Sequence, residues 1–320
     1  MANWQMIEQF KQDVDAGLSA TQKFLPSQYF YDAVGDALFR KIMAMPEYYL
    51  TRAEYEIFND KTQELIDCLN LNKNDYFEII ELGPGDGKKS KMLLKELLNQ
   101  GYNFIYHPID ISENALQHLE NSLNSEIPEL TTIPKQGLYF DAMSSLKKSD
   151  HKKIVLFLGS NIGNLEDDLA ADFLYKLGSN FQHDDILLLG VDLKKDASIV
   201  LPAYNDAEGI TAQFNLNILN RINRELGGDF DMDGFEHQPE YLSKEGIANS
   251  YLTSLADQTV HIKSLNKSFS FSENEKIHTE TSRKYDEAIL NRIIKNTDFI
   301  LDNKISDSNN YFADFILKRS

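Results

Sequence analysis

The chain has 320 residues, 42% of them hydrophobic, a formal net charge of −18 and a mean hydropathy of −0.41. That length and composition imply a large buried core and either two domains or one elaborated domain. The acidic balance argues against nucleic acid or an anionic membrane surface as partner, since both demand a basic footprint.

The opening stretch, MANWQMIEQFKQDVDAGL, lacks the apolar centre of a secretory signal, and no 18-residue apolar run offers a membrane span. The single cysteine, Cys68, has no internal partner for a disulfide. The expectation is a cytoplasmic protein. Up to about Asn70 the pattern is helical and rich in aromatic residues, including Tyr31, Phe39, Tyr48 and Tyr49, with Pro26, Gly35 and Pro46 dividing it into short helices. Most of these rings read as ordinary core packing.

From Tyr76 the character changes. YFEIIEL is a continuous apolar run, followed by the turn GPGDG and the amphipathic KKSKMLLKELLNQ. FIYHPID forms a second strand-like run before the helical SENALQHLENSL. KKIVLFLG and DDILLLGVDL are a third and fourth, separated by the helical EDDLAADFLYKLGSNF. Apolar strands alternating with helices imply parallel strands covered on both faces, a Rossmann-like doubly wound α/β sheet.

Beyond Lys194, LPAYNDAEGITAQFNLNILNRINRELGGDF reads as largely one helix and DFDMDGFEHQPEY as a loop. NSYLTSLADQTVHI and SFSFSENEKIHTETS are two strand candidates for an antiparallel meander. A helix from about Lys284 and a last strand, YFADFILKR, return the chain to its sheet. The expected division is 54–193 plus 283–320 for the α/β domain. A second, α+β domain would comprise 1–53 plus 194–282, that is, the N-terminal helices and an insertion.

The chemistry gathers at strand ends. ELGPGDG, from Glu81 to Gly87, lies between a strand and a helix, where open α/β sheets bind ligands. Gly83, Gly85 and Gly87 let the backbone approach a ligand closely, and the free N–H groups of the helix start suit an anion. Asp110 ends the next strand, where an acid accepts ribose hydroxyls. Lys88 and Lys89 oppose the helix dipole, which points to a function for at least one of them. In contrast, the run Glu166 to Asp168 complements a dipole and reads as a helix start. His107, His237 and His278 are isolated, and no Cys/His cluster has metal-ligand spacing, so no metal is expected. In HTETS, alternation places Glu280 and Ser282 on one face and Thr279 and Thr281 on the other.

The pattern E-x-G-x-G-x-G with Asp110 resembles the class I S-adenosylmethionine-dependent methyltransferases. Further blocks narrow the resemblance: YFYDAVGDALFRKIMAMPEYYLTRAEYEI, LGSNIGNL, PAYNDAEGITAQFNLNILNRINREL and IHTETSRKY are similar to the histidine-specific methyltransferase family, in the same order, from about Gln28 to Lys284. The resemblance implies S-adenosyl-L-methionine as methyl donor, with N-alpha trimethylation of L-histidine to hercynine, the first step of ergothioneine biosynthesis. It implies that the second domain binds the substrate and closes over the first. It also implies a cofactor site at Glu81, Gly83, Gly85, Gly87, Lys89 and Asp110. Tyr48, Asn164 and Tyr204 would hold the amino acid head during catalysis. Tyr31, Phe39 and Gly159 would line the same cavity, and Glu280 and Ser282 would take the imidazole nitrogens.

Two positions depart from the family pattern. After Gln136 and Gly137 an acid toward the adenine is expected, but Leu138 stands there, with Asp141 as a nearby substitute. In NSYLTS, Ser250 occupies a place beside the substrate where the family commonly has methionine, and a smaller polar residue enlarges or rewets the pocket. The alternatives are an N-alpha-methyltransferase of another amino acid, including an indole-containing one, and a cofactor-binding homologue without activity.

Overall fold

The computed structural model describes residues 2–147 and 149–319. The chain opens with helices α1 (Ala2–Ser19), α2 (Ala33–Ala44), α3 (Tyr49–Asp60) and α4 (Thr62–Cys68). Asp32 caps α2 by accepting from the Gly35 N–H at 2.8 Å, meeting one of the donors that every helix start leaves free. There follow β1 (Tyr76–Leu82), α5 (Lys88–Asn99), β2 (Asn103–Asp110), α6 (Glu113–Glu126), β3 (Lys135–Gln136), α7 (Tyr139–Leu146), β4 (Lys152–Phe157), α8 (Asp167–Gly178) and β5 (Ile186–Asp192). Next come α9 (Ala197–Tyr204), α10 (Ile210–Leu226), β6 (Phe235–Leu242), β7 (Ile247–Ser254), β8 (Gln258–Ile262), β9 (Lys267–Phe271) and β10 (Lys276–Arg283). The chain finishes with α11 (Glu287–Ile294), β11 (Phe299–Ser306) and β12 (Phe312–Arg319).

These elements form two compact units, 1–49 with 195–282, and 50–194 with 283–320. The second of them holds a sheet in the order β11-β12-β5-β4-β1-β2-β3. β3, β2, β1, β4 and β5 pair in parallel, while β12 runs antiparallel to both β5 and β11. The order turns back between β1 and β4, the switch point at which doubly wound sheets bind ligands. Cross-strand register explains the packing. Ile80, Val155, Leu187 and Leu317 lie side by side on one face, in a core completed by Leu174 and Leu177 of α8 and Leu290 and Ile293 of α11. The opposite face carries Ile79, Ile154 and Ile186, but towards the C-terminal ends of the parallel strands it turns polar, with Glu81, Asp192 and Asp314 all buried. Where the insertion leaves and rejoins this unit, Leu193 pairs with Tyr285, and the Lys194 N–H donates to the Tyr285 carbonyl at 2.7 Å.

The other unit packs α1, α2 and α10 with its strands, around a core that includes Phe10, Phe30, Phe214, Ile218, Leu252 and Phe269. Its strands form a three-stranded sheet, β10-β7-β6, and the hairpin β8-β9.

Several expectations from the sequence are corrected here. The long helix is two, because Asp206 caps α10 by accepting from the Ile210 and Thr211 N–H groups at 2.8 Å, and Gly209 adopts left-handed backbone (φ 68°). FEHQPEYL is not loop but the edge strand β6. After buried Phe235 its exposed and half-buried residues alternate, and an edge position tolerates Pro239. The two strand candidates are four strands, with Asn266 (φ 47°) and Asn274 (φ 66°) at left-handed turns. β11 escaped notice because it lies at the sheet edge, with Asp302, Asn303 and Lys304 exposed in its middle.

The three histidines occupy different settings. His107 Nδ1 lies 3.2 Å from the Ile133 carbonyl, and His278 Nε2 lies 3.3 Å from Asn249 Oδ1. His237 on β6 is largely buried with no partner at Nε2, and burial lowers its pKa to about 4, against a small opposing pull from Asp206. Between pH 6.5 and 4 the unfolded chain therefore binds the proton that the folded chain refuses, so stability falls as pH falls through that window. We expect His237→Leu to remove about 2–3 kcal/mol of that acid sensitivity, measured by urea unfolding at pH 6.5 and pH 4.5.

Candidate active site

In the sheet unit, β1 ends at Leu82 and the chain turns through three glycines with left-handed backbone: Gly83 (φ 66°), Gly85 (φ 59°) and Gly87 (φ 67°). At Gly83 a Cβ would stand 2.7 Å from the Tyr139 hydroxyl, so both conformation and space call for glycine. Nothing lies within 4 Å of a Cβ at Gly85, which leaves the loop's outer side open. The turn feeds directly into α5, whose first N–H, that of Lys88, donates to Asp86 Oδ1 at 3.1 Å, while the helix start as a whole favours an anion. Asp110 closes β2 and accepts the Ser112 N–H at 2.8 Å through one oxygen. A nucleotide-bearing cofactor fits this arrangement: a cradle that side chains would fill, with an acid on the neighbouring strand.

Glu81 is the penultimate residue of β1 and is buried. Its carboxylate accepts from the Tyr106 hydroxyl at 2.5 Å inside the sheet's polar face, and burial raises its pKa. Leu138 is 65% exposed ahead of α7, and Asp141 stands in the first turn of that helix.

Lys88 and Lys89 divide their roles. Lys88 reaches the exposed Asp86 at 3.0 Å, whereas Lys89 forms an ion pair with buried Glu54 of α3. Burial opposes the charge on Lys89, yet the Glu54 carboxylate prevails and raises its pKa. The same carboxylate accepts the Gly159 N–H at 2.8 and 3.1 Å. Gly159 (φ 77°) and Ser160 (φ 59°) both adopt left-handed backbone just after β4, and Ser160 is buried there, accepting the Asp192 N–H at 3.0 Å. A non-glycine residue in that conformation stores strain, a common mark of a working loop. Asn164, at the end of the short turn that follows, is exposed. The acidic run is the start of α8, as read from sequence, and Asp167 also accepts from Arg283 and Arg292.

In the other unit, Tyr31 stacks edge-on against Phe39 and Phe214, each with ring centroids 5.6 Å away, and Phe39 meets Tyr48 at 6.3 Å. Tyr31 is 42% exposed, and partial desolvation of its hydroxyl, then the charges of Glu280 and Asp36, and lastly Tyr204, push its pKa up. Glu280 and Tyr204 therefore both lie within electrostatic reach of Tyr31, brought together from three distant parts of the sequence. Ser282 and Ser250 are buried, and the Ser250 hydroxyl has no hydrogen-bond partner. The two threonines of HTETS part company: Thr279 donates to Asn215 of α10, whereas Thr281 meets Asn249 and His278. Strict alternation therefore does not run through the whole of β10.

Glu54 and Asp314 were not singled out by sequence. Both are buried acids, and only their place in the fold makes them conspicuous. Among the described residues no helix is long and apolar enough to cross a membrane, and no group of histidine, cysteine or acidic side chains is placed to hold a metal.

Comparison with known proteins gives a consistent picture. Residues 10–319 match the family described as "Histidine-specific methyltransferase, SAM-dependent". The chain is 37% identical over 280 residues to the histidine N-alpha-methyltransferase of Mycolicibacterium smegmatis, which spans 87% of this chain and 85% of that one. It is 36% identical over 275 residues to the protein of the same name from Mycobacterium tuberculosis, over 86% and 84% of the two chains. To ergothioneine biosynthesis protein 1 of Schizosaccharomyces pombe it is 29% identical over 304 residues, covering 92% of this chain and 39% of that protein.

Proposed function

The chain belongs to the histidine-specific, S-adenosylmethionine-dependent methyltransferase family, and from that premise we propose that it converts L-histidine to hercynine by three successive methylations of the alpha-amine. The observation that carries the reading is Glu280. Its charge reaches Tyr31, as does Tyr204, and Ser282 follows two residues along the same strand.

An imidazole has two nitrogens, and a carboxylate with a hydroxyl satisfies both. An indole offers one N–H and would leave part of that fork unpaired, a costly outcome in a buried site. The family resemblance assigns Tyr48, Tyr204 and Asn164 to the amino acid head and Gly159 to the lining of its cavity. Their hydroxyl and amide groups can accept N–H donors early in the reaction and tolerate the loss of those donors later. The Tyr31, Phe39 and Tyr48 rings suit a product that ends as a quaternary ammonium, which aromatic faces attract. Ser250 adds a small polar wall.

S-adenosylmethionine supplies an electrophilic methyl group on a sulfonium when bound. Gly83, Gly85 and Gly87 would carry its backbone contacts, Asp110 its ribose, and Lys89 its carboxylate, with Glu81 bracing the strand from within. The residues' task is to position a neutral amine and exclude water, since displacement from a sulfonium needs no covalent assistance from the protein. We place the enzyme in the cytoplasm, acting on a free amino acid and on neither nucleic acid nor membrane. This is supported by its acidic charge and single cysteine.

The expected result is histidine-dependent formation of hercynine, with three equivalents of S-adenosylhomocysteine released per histidine, followed by mass spectrometry with tryptophan as the parallel substrate. Cofactor binding without any methylated histidine would defeat the proposal.

A further inference from the structure

One buried carboxylate in the sheet unit plays no part in the assignments above. Asp314 on β12 is fully buried, and neither of its carboxylate oxygens has a hydrogen-bond partner. It lies opposite Gly190 of β5, where a Cβ would collide with Glu54 Oε1 and stand 3.1 Å from Asp314 Oδ1. Glycine at 190 thus leaves the space into which two carboxyl groups converge.

The surrounding charges decide what state Asp314 can hold. Glu54 is engaged by Lys89 and by the Gly159 N–H. Glu81 is capped by the Tyr106 hydroxyl. Asp192, two residues along β5 from Gly190, has its own ammonium in Lys284. A single lysine therefore serves Glu54 and Asp314 together. Ionising both would bury a negative charge without a counterion, which proteins avoid by protonation. Burial, reinforced by the Glu54 charge and only partly opposed by Lys89, pushes the Asp314 carboxyl well above its usual range. A neutral carboxyl group has one O–H to donate, and Glu54 is the acceptor that shares the space above Gly190.

We propose that Asp314 is a positioning residue: across the space that Gly190 leaves open it steadies Glu54, and through Glu54 it holds Lys89 in place for the carboxylate of S-adenosylmethionine. The inference rests on the assignment of Lys89 to the cofactor. Glu54 then acts as a relay between a buried proton and the cofactor site, and Gly190 is required because any side chain would part the two acids.

The test compares two variants with the wild type in calorimetric titrations with S-adenosylhomocysteine. Asp314→Asn keeps a neutral donor and should bind within about threefold of the wild type, while Asp314→Ala should bind at least about tenfold more weakly. Infrared spectra of the protein without ligand should show, at neutral pH, a carbonyl band of a protonated carboxylic acid that disappears in Asp314→Asn. Absence of that band overturns the proposal, as does wild-type affinity in Asp314→Ala or an equal loss in both variants. Should Asp314→Ala fail to fold, the infrared comparison decides alone. Lys89→Met separates the two layers of the argument. If it leaves affinity unchanged, the cofactor assignment of Lys89 fails. If it weakens binding while Asp314→Ala does not, only the role of Asp314 falls.

Discussion

Glu280→Ala is expected to raise the KM for L-histidine by about 30- to 1,000-fold, corresponding to about 2–4 kcal/mol, while S-adenosylhomocysteine affinity stays within about twofold. The asymmetry follows from where the residue sits. Glu280 belongs to the unit formed by 1–49 and 195–282, where its charge reaches Tyr31, whereas the glycine loop, Asp110 and Lys89 belong to the other. A carboxylate hydrogen-bonded to an imidazole N–H is a charge-assisted contact, and removing it leaves a donor unmet on the substrate. Steady-state kinetics with calorimetry of the cofactor product would check both halves. Equal loss of histidine and cofactor binding would mean that Glu280 supports the fold and does not read the substrate.

The largest stability effect is expected at Lys284. Its ammonium lies 2.8 Å from Asp192, and both side chains are fully buried. Replacing it with methionine keeps the volume but strands a carboxylate inside the protein, at a cost of about 3–5 kcal/mol. The double variant Lys284→Met with Asp192→Leu should recover much of that loss, because two apolar side chains no longer leave a charge unmatched. Guanidinium unfolding of the three proteins would measure it. A loss below about 1 kcal/mol in the single variant would contradict this account, since breaking a buried pair is seldom so mild.

The sheet was legible because its strands are apolar on both faces and the intervening helices carry a clear period. β1, β2, β4 and β5 lie where YFEIIEL, FIYHPID, KKIVLFLG and DDILLLGVDL suggested. The glycine loop declared itself for the same reason, as a break between a strand and a helix. β6 was hidden by Pro239 and by charged residues on its exposed side, and β11 by the polar middle of an edge strand. In these strands only half the residues meet a core, so hydrophobicity alone does not reveal them. The glycine turn was legible because its chemistry is local, Gly83, Gly85 and Gly87 all adopting left-handed backbone, whereas the pairing of Glu280 with Ser282 was read from an alternation that β10 does not keep throughout. Glu54 and Asp314 were not legible, because a lone acid in RAEYEI or YFADF looks like a surface residue until β12 pairs with β5 and α3 packs over the sheet. Lys89 was suspected from its conflict with the helix dipole. Its partner could be named only in three dimensions.

The pairing of Leu193 with Tyr285 has a consequence for how such a chain could have been assembled. Residues 195–282 depart from the sheet unit at Lys194 and return at Arg283, and the two flanking segments are already zipped together by backbone hydrogen bonds. The scaffold therefore offers a single doorway at which a segment of almost any length can be spliced in without prising β5 from β12. Changes to the inserted segment need not retune the sheet, and an ancestral gene could alter which amino acid is read while inheriting its methyl-donor chemistry whole.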